Sequence, residues 1–216
     1  MKETRCAYCG IVIDNYQKEH AIPKCLYPYS KAKSKVQRIT IPSCHTCNNG
    51  FSDDEVHFRN ILLIAGEPND AVKELWETTM HRSFYQVDGQ KRAHDLFLQM
   101  KPIQITGNNR YMIYPGKDQR VIRVIRKIVR GLAFYHNILT PISEKRIWVD
   151  VMQYTVPQEY LKMMMYQHRE KDICEYRFHV LQENDIHSVW IITFFERCTF
   201  VALISMSENG FPEKYD

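Results

Sequence analysis

The strongest periodicity in the chain runs over residues 119–135. Val121, Val124, Ile125, Ile128 and Leu132 recur at helical spacing, and Arg120, Arg123, Lys127 and Arg130 fall on the opposite side with Arg126 adjacent. The pattern predicts an amphipathic helix whose cations lack acidic partners one turn on. Two uses fit such a face: a solvated surface, or a surface that binds phosphate or a partner. Downstream, residues 145–155 alternate like a strand around Trp148 and Val149. Pro157 introduces a predicted helix over 158–171, in which Met163, Met164 and Met165 read as adaptable core filling. Three β-rich runs follow, 175–181, 188–195 and 199–205, with turn signals at Asn184-Asp185 and Glu196-Arg197. Their near-continuous apolar character predicts central strands covered on both faces. The last ten residues are expected to be ragged.

Upstream, residues 52–65 carry a helical face of Val56, Ile61, Leu62 and Ala65, opened by Ser52 and Glu55 in a capping-box arrangement. Gly66-Glu67-Pro68-Asn69 ends that helix and marks a module boundary. A second helix is predicted over 70–80. Residues 81–101 are ambiguous, with a turn at Asp88-Gly89 and helical character from Ala93 to Met100. Residues 103–114 read as strand, turn and strand about Gly107-Asn108-Asn109, and residues 11–17 as a short strand. The expected organisation is α+β: a small module over 1–66, then an α+β domain over 67–216 with a mostly antiparallel sheet. No Gly-rich phosphate loop or nucleophile elbow lies in the second part.

Charge adds a second feature. Net charge is +4, compatible with nucleic acid without being diagnostic of it. The basic residues Lys18, Lys24, Lys31, Lys33, Lys35 and Arg38 crowd into 18–38 against the single acid Glu19. This stretch reads either as a solvated loop or as a loop that contacts phosphates without reading sequence. No apolar run approaches the ~18 residues of a membrane span. Seven cysteines and no secretory leader lead to the expectation of a reducing, cytoplasmic setting.

Four of those cysteines form two Cys-x-x-Cys pairs, Cys6/Cys9 and Cys44/Cys47. Each pair sets two sulfurs on one side of an ion, and two pairs close a tetrahedral shell, so the spacing predicts a structural zinc site. His45 is an alternative to one of the thiolates. A closed four-sulfur site offers no open position to a substrate, so any chemistry must come from residues that it positions.

Between and after the pairs stand Glu19-His20-Ala21-Ile22-Pro23 and Asn48. Cys-x-x-Cys, an acidic-His-x-x-Pro segment and Cys-x-x-Cys-Asn, in this order, resemble the zinc-stabilised branch of the HNH endonuclease family over about the first quarter of the chain. The resemblance implies a ββα-metal module: a two-stranded hairpin and a helix around one catalytic divalent ion, Mg²⁺ or Mn²⁺. It implies Glu19 and Asn48 as ligands of that ion and His20 as general base on water. Glu19 stands where the family usually has Asp. Arg38, Ile39 and Thr40 occupy the stretch where it has a further asparagine, and Phe51 stands where a lysine is often found. A hard carboxylate and amide oxygen suit such an ion, and a neutral imidazole suits proton abstraction. His57, Asp53, Asp54 and Glu55 also fall nearby, the acids reading more naturally as helix N-terminal residues.

The expected function is therefore metal-dependent hydrolysis of nucleic acid phosphodiesters, DNA ahead of RNA, with a setting in restriction or defence suggested by resemblance alone. Lys24, Lys31, Lys33, Lys35, Arg38, Arg123, Lys127 and Arg130 are the candidate backbone contacts. Two alternatives remain open: a non-catalytic zinc module that binds nucleic acid or a partner, and a nuclease subunit active only within a larger complex.

Overall fold

A computed structural model describes residues 3–32, 34–65, 68–105, 108–112 and 115–211. The fold is α+β. Near the N-terminus, β1 (Gln17–His20) pairs antiparallel with β2 (Thr40–Ser43), so that Glu19 lies opposite Ile41 and His20 opposite Thr40. A short helix, α1 (Tyr29–Ala32), sits in the connection between them. The strand expected over 11–17 starts later; of that stretch, Val12 makes only an isolated bridge to Arg5. Two helices follow the hairpin, α2 (His45–Asn49) and α3 (Ser52–Ile64).

Helix α4 (Asp70–Leu75) runs into a single π turn, Trp76–Met80, then α5 (His81–Phe84) and α6 (Gly89–Gln99). β3 (Lys101–Ile105) and β4 (Asn108–Met112) form a separate two-stranded ribbon. Gly107 of the expected turn lies outside the described residues, as do Gly66, Glu67 and the final five positions. The expected amphipathic helix is α7 (Gln119–Tyr135).

The second half is a five-stranded antiparallel sheet of order β5-β9-β8-β7-β6, from β5 (Ile147–Val151), β6 (Met165–Glu170), β7 (Cys174–Glu183), β8 (Ile186–Phe194) and β9 (Cys198–Ser205). The β7–β8 connection is a two-residue turn. Asn184 (φ 51°) and Asp185 (φ 63°) both take the left-handed conformation that a type I′ turn requires and these residue types tolerate. The next turn is set one residue earlier than its polar residues suggested. Phe195 itself adopts φ 52°, its ring buried in the core and its N–H donating to the Ile173 carbonyl at 3.0 Å.

Two expectations fail here. The helix predicted over 158–171 stops at α8 (Gln158–Met163), and the following residues form β6. Met165 pairs with Phe178 and Gln167 with Tyr176, so ladder pairing with β7 overrides local helical preference at the sheet edge. Met163 and Met165 are accordingly exposed rather than core. The strands β7, β8 and β9 also alternate in burial instead of being covered on both faces: Tyr176, Phe178, Trp190, Ile192, Phe194, Phe200 and Ala202 point inward.

Helix α7 packs its apolar stripe between that inner face and α3, and Val121, Val124, Ile125, Ile128 and Leu132 are all fully buried. Phe58 of α3 meets Phe194 edge-on at 5.2 Å and lies 6.2 Å from Phe200. One hydrophobic cluster thus extends from Ala21 on the hairpin to Ile204 in β9, drawing on residues either side of the 66/67 boundary. At Gly131 α7 lies tight against the hairpin: a Cβ there would meet Ile41 Cδ1 at 3.0 Å and Ala21 Cβ at 3.3 Å.

Candidate functional site

The four paired cysteines converge. The first pair lies in a tight turn, where the Gly10 N–H donates to the Cys6 carbonyl at 2.9 Å and Gly10 adopts φ 74°. The turn is tied to β2 because the Ala7 N–H donates to the Pro42 carbonyl at 2.9 Å. The second pair starts α2: Cys44 is its N-cap and accepts from the Cys47 N–H at 3.5 Å. All four sulfurs lie within 4.8 Å of one another, and Cys9 and Cys44 sulfurs are 3.9 Å apart. A tetrahedron with Zn–S bonds of about 2.3 Å has edges of about 3.8 Å, so the cluster could hold a structural metal such as zinc.

The electrostatics of the cluster fit a cation. Burial pushes the Cys6 thiol up, but the N–H groups of Cys9, Cys44 and Tyr8 aimed at its sulfur more than offset this and bring it down to about 6. The Cys9 and Cys47 thiols are pushed up, by burial first and then by neighbouring sulfurs. Repulsion among adjacent thiolates is what a bound divalent ion would relieve. His45 is not part of the cluster. It is exposed, and its Nε2 bonds the Asn49 side chain at 3.0 Å.

His20 ends β1, beside the buried Ala21-Ile22-Pro23. Its Nδ1 is buried without a hydrogen-bond partner among the described residues. Burial holds its pKa down at about 4, with Lys24, Arg38 and Lys127 opposing protonation further. The ring is therefore a neutral imidazole at neutral pH, with an unengaged nitrogen.

Glu19 and Asn48 each have a hydrogen-bond partner of their own. The Glu19 carboxylate accepts from the ammonium of Lys127, which also donates to Glu55. The Asn48 amide donates to the Asn49 side chain at 3.3 Å. Among the described residues the four-cysteine cluster is the one grouping of three or more His, Cys, Asp or Glu ligands close enough for a metal. The carboxylate of Glu19, expected from sequence to hold a hard cation, has the Lys127 ammonium against it.

Lys127 and Glu55 are the residues that sequence reasoning placed elsewhere. Lys127 is fully buried, 5.2 Å from the Phe51 ring and 5.9 Å from the Tyr8 ring. Glu55 makes no capping box; Phe51 rather than Ser52 is the N-cap of α3. Burial, with Glu19 adding to it and Lys127 opposing, raises the Glu55 pKa.

The polar side of α7 is part buried and part exposed, and its cations have intramolecular partners. Arg130 is buried, donating to the Tyr8 carbonyl at 2.6 Å and to Glu144 at 3.0 Å. Arg120 and Arg123 converge on Asp54 at 2.8 and 2.6 Å. So Lys127 and Arg130 are too buried to contact nucleic acid as placed, whereas Arg123 pairs with Asp54 and stays exposed.

In the basic loop, Arg38 pairs with Glu170 at 3.1 Å and stacks over Tyr27 at 3.7 Å, and Lys31 pairs with Asp172 at 2.9 Å. Lys24 and Lys35 are exposed; Lys33 lies outside the described residues. His57 is buried and hydrogen-bonds Asp118 at 2.6 Å. Asp118 also accepts from the Arg120 and Val121 amides and so caps α7.

Fold and site together define an α+β protein with an N-terminal four-cysteine cluster and no helix, among the described residues, long and apolar enough to cross a membrane. Comparisons with protein-family models, with characterised proteins and with solved structures found no match to this chain.

Proposed function

We propose that the chain is a metal-dependent endonuclease of the HNH type, acting on nucleic acid phosphodiesters, DNA in preference to RNA. The observation that carries the reading is His20: a half-buried imidazole, held neutral by burial, at the end of a hairpin strand whose partner strand leads into the cysteine cluster. In this role His20 takes a proton from the attacking water as the water oxygen bonds to phosphorus and one P–O ester bond breaks, its electron pair leaving on the sugar oxygen, which takes a proton from solvent. Zn²⁺ in the cysteine cluster would hold the hairpin against α2. Glu19 and Asn48 are the candidate ligands of Mg²⁺ or Mn²⁺, which when bound supplies charge stabilisation at the phosphate. Loading it would require Lys127 to release Glu19. Exposed Lys24 and Lys35 are the remaining candidate backbone contacts. Plasmid nicking with Mg²⁺ or Mn²⁺, comparing wild type with His20→Ala, tests the proposal: nicking that depends on His20 supports it, and equal nicking by both proteins sinks it.

Lys127 favours a second reading. An ammonium buried between Glu19 and Glu55 already satisfies charge where an ion would be needed. The same scaffold would then be a non-catalytic zinc module that binds nucleic acid or a protein partner. That reading gives salt-sensitive DNA binding with no cleavage under any metal. A third arrangement, a subunit active only in a larger defence complex, would give cleavage only once the partner is added.

A further inference from the structure

A cleft of about 860 Å³ opens between α3, the π turn and α6, on residues that the nuclease reading does not use. Its volume lies within the ~300–1,000 Å³ usual for small-molecule sites. Arg59 forms part of its wall and is only 5% exposed. The Arg59 guanidinium donates through Nε and Nη2 to one acceptor, the Asn60 amide oxygen, at 3.1 and 2.8 Å. Arg92, half-buried on α6, lines the same cleft; its Nη2 bonds the Ser83 carbonyl at 2.8 Å and Gln86 at 3.5 Å, and its Nε is buried with no partner.

No carboxylate among the described residues forms an ion pair with either guanidinium, and burial first, then Arg92, opposes the charge on Arg59. Asp53, Asp88 and Asp95 do line the cleft, but on its exposed rim, among the equally exposed cations Arg82, Lys91 and Arg120. The rim is mixed; the floor carries uncompensated positive charge. A buried charge without a counter-charge is costly, so such a floor calls for an anion. Arg59 spends its Nε–Nη2 edge on Asn60, and the remaining donors of the two guanidiniums suit a phosphate dianion. Thr78 and Thr79 line the cleft from the π turn, an irregularity frequent at functional sites, with the Thr78 hydroxyl donating to the Glu74 carbonyl at 2.6 Å. No Phe, Tyr or Trp side chain lines it, and its one ring, His57, is buried and held by Asp118 at 2.6 Å.

We propose that this cleft binds the phosphate group of a small phosphorylated molecule, with Arg59 and Arg92 as its ligands. A nucleic acid strand suits it less, since the inner guanidinium is nearly closed to solvent and a backbone phosphate would have to leave its strand to reach it.

The test uses the full chain at pH 7.5, by thermal unfolding and titration calorimetry. Phosphate and pyrophosphate are the probes, with chloride and acetate at matched ionic strength as references. Phosphate and pyrophosphate should raise the unfolding temperature beyond either reference. Arg92→Met, at a half-buried position, and Arg59→Met should each weaken pyrophosphate binding by about tenfold or more, corresponding to about 1.4 kcal/mol or more. Lys162→Ala, on exposed α8, should leave it unchanged. Equal response to all four anions would overturn the proposal, as would binding that survives in both arginine variants. Arginine-dependent displacement of pyrophosphate by a single-stranded oligonucleotide, which itself raises the unfolding temperature, would replace the small ligand with a nucleic acid.

Discussion

Replacing Lys127 by methionine keeps the aliphatic stem and removes the ammonium that serves two carboxylates. The ammonium side chain has no solvent exposure, and those of Glu19 and Glu55 retain 12% and 17%. At an effective dielectric of about 20, a charge pair at 4 Å is worth roughly 4 kcal/mol, so two attractions are lost while the Glu19–Glu55 repulsion remains. Relief of the ammonium's own desolvation returns part of this. Removing one partner of a buried pair costs about 3–5 kcal/mol, and Lys127→Met should fall in that range at pH 7.5.

The pH dependence has a definite sign. The folded-state pKa of Glu55 is already raised by burial and by Glu19, and without Lys127 it rises further. A carboxyl raised in the folded state binds more protons there than in the unfolded chain, so stability falls as pH climbs through the raised value. Urea unfolding of Lys127→Met should therefore recover toward wild type from pH 8 down to pH 5. The triple variant Glu19→Gln, Glu55→Gln, Lys127→Met should recover most of the loss at pH 7.5. A loss below about 1 kcal/mol, or one that does not change with pH, would refute the assignment of a buried charge triad. Adding Mg²⁺ to Lys127→Met separates the two functional readings. A rise in its midpoint that Glu19→Gln abolishes shows that these carboxylates accept a divalent ion once the lysine is gone.

Three further outcomes follow from the packing. Chelation with a strong zinc ligand, or Cys44→Ser, should release one zinc per chain by atomic absorption and lower the unfolding temperature, because binding energy at such a site is folding energy. Asp118→Asn should cost about 1–3 kcal/mol at pH 7 through the buried His57 bond and the α7 cap. Burial raises the Asp118 pKa but His57 and two amides lower it more, so this contribution is present at neutral pH and fades as pH falls through the depressed folded value; wild type and variant should converge in acid. Gly131→Ala gains helix propensity of up to ~1 kcal/mol, yet its Cβ would press on Ile41 and Ala21; overpacking of about 1–3 kcal/mol should win in urea titrations.

What the sequence disclosed depended on how local the physics is. Two Cys-x-x-Cys turns announce a four-sulfur cluster because each turn places its own sulfurs, and the cluster is there. The α7 stripe is likewise local: its five apolar residues are buried as the 3.6-residue period demands. The partners of its charged side are not local. Glu55 is 72 residues from Lys127 and Glu19 is 108 away, so a search for acids one turn along the same helix could not find them. Strand β6 escaped notice for a related reason: an exposed edge strand has little hydrophobic pattern of its own and is fixed by pairing to β7. The buried Arg59 gave no signal either, since nothing in α3 marks which face meets a cleft formed with α6.

The two sides of α7 explain why the cysteine cluster matters beyond its own residues. Its apolar side closes the sheet, and its charged side holds the hairpin through Glu19, through the Tyr8 carbonyl beside the first cysteine pair, and through Asp54 and Glu55 of α3. A helix so engaged cannot shift toward either partner without leaving buried cations unpaired on the other. The hairpin that presents His20 is therefore braced twice, by the cluster at its Cys44 end and by Lys127 beside Glu19. If the chain is a nuclease, catalysis requires the second brace to yield while the first holds. The cost of releasing Lys127, measured in the variants above, then sets how tightly a divalent ion must bind before the site can work.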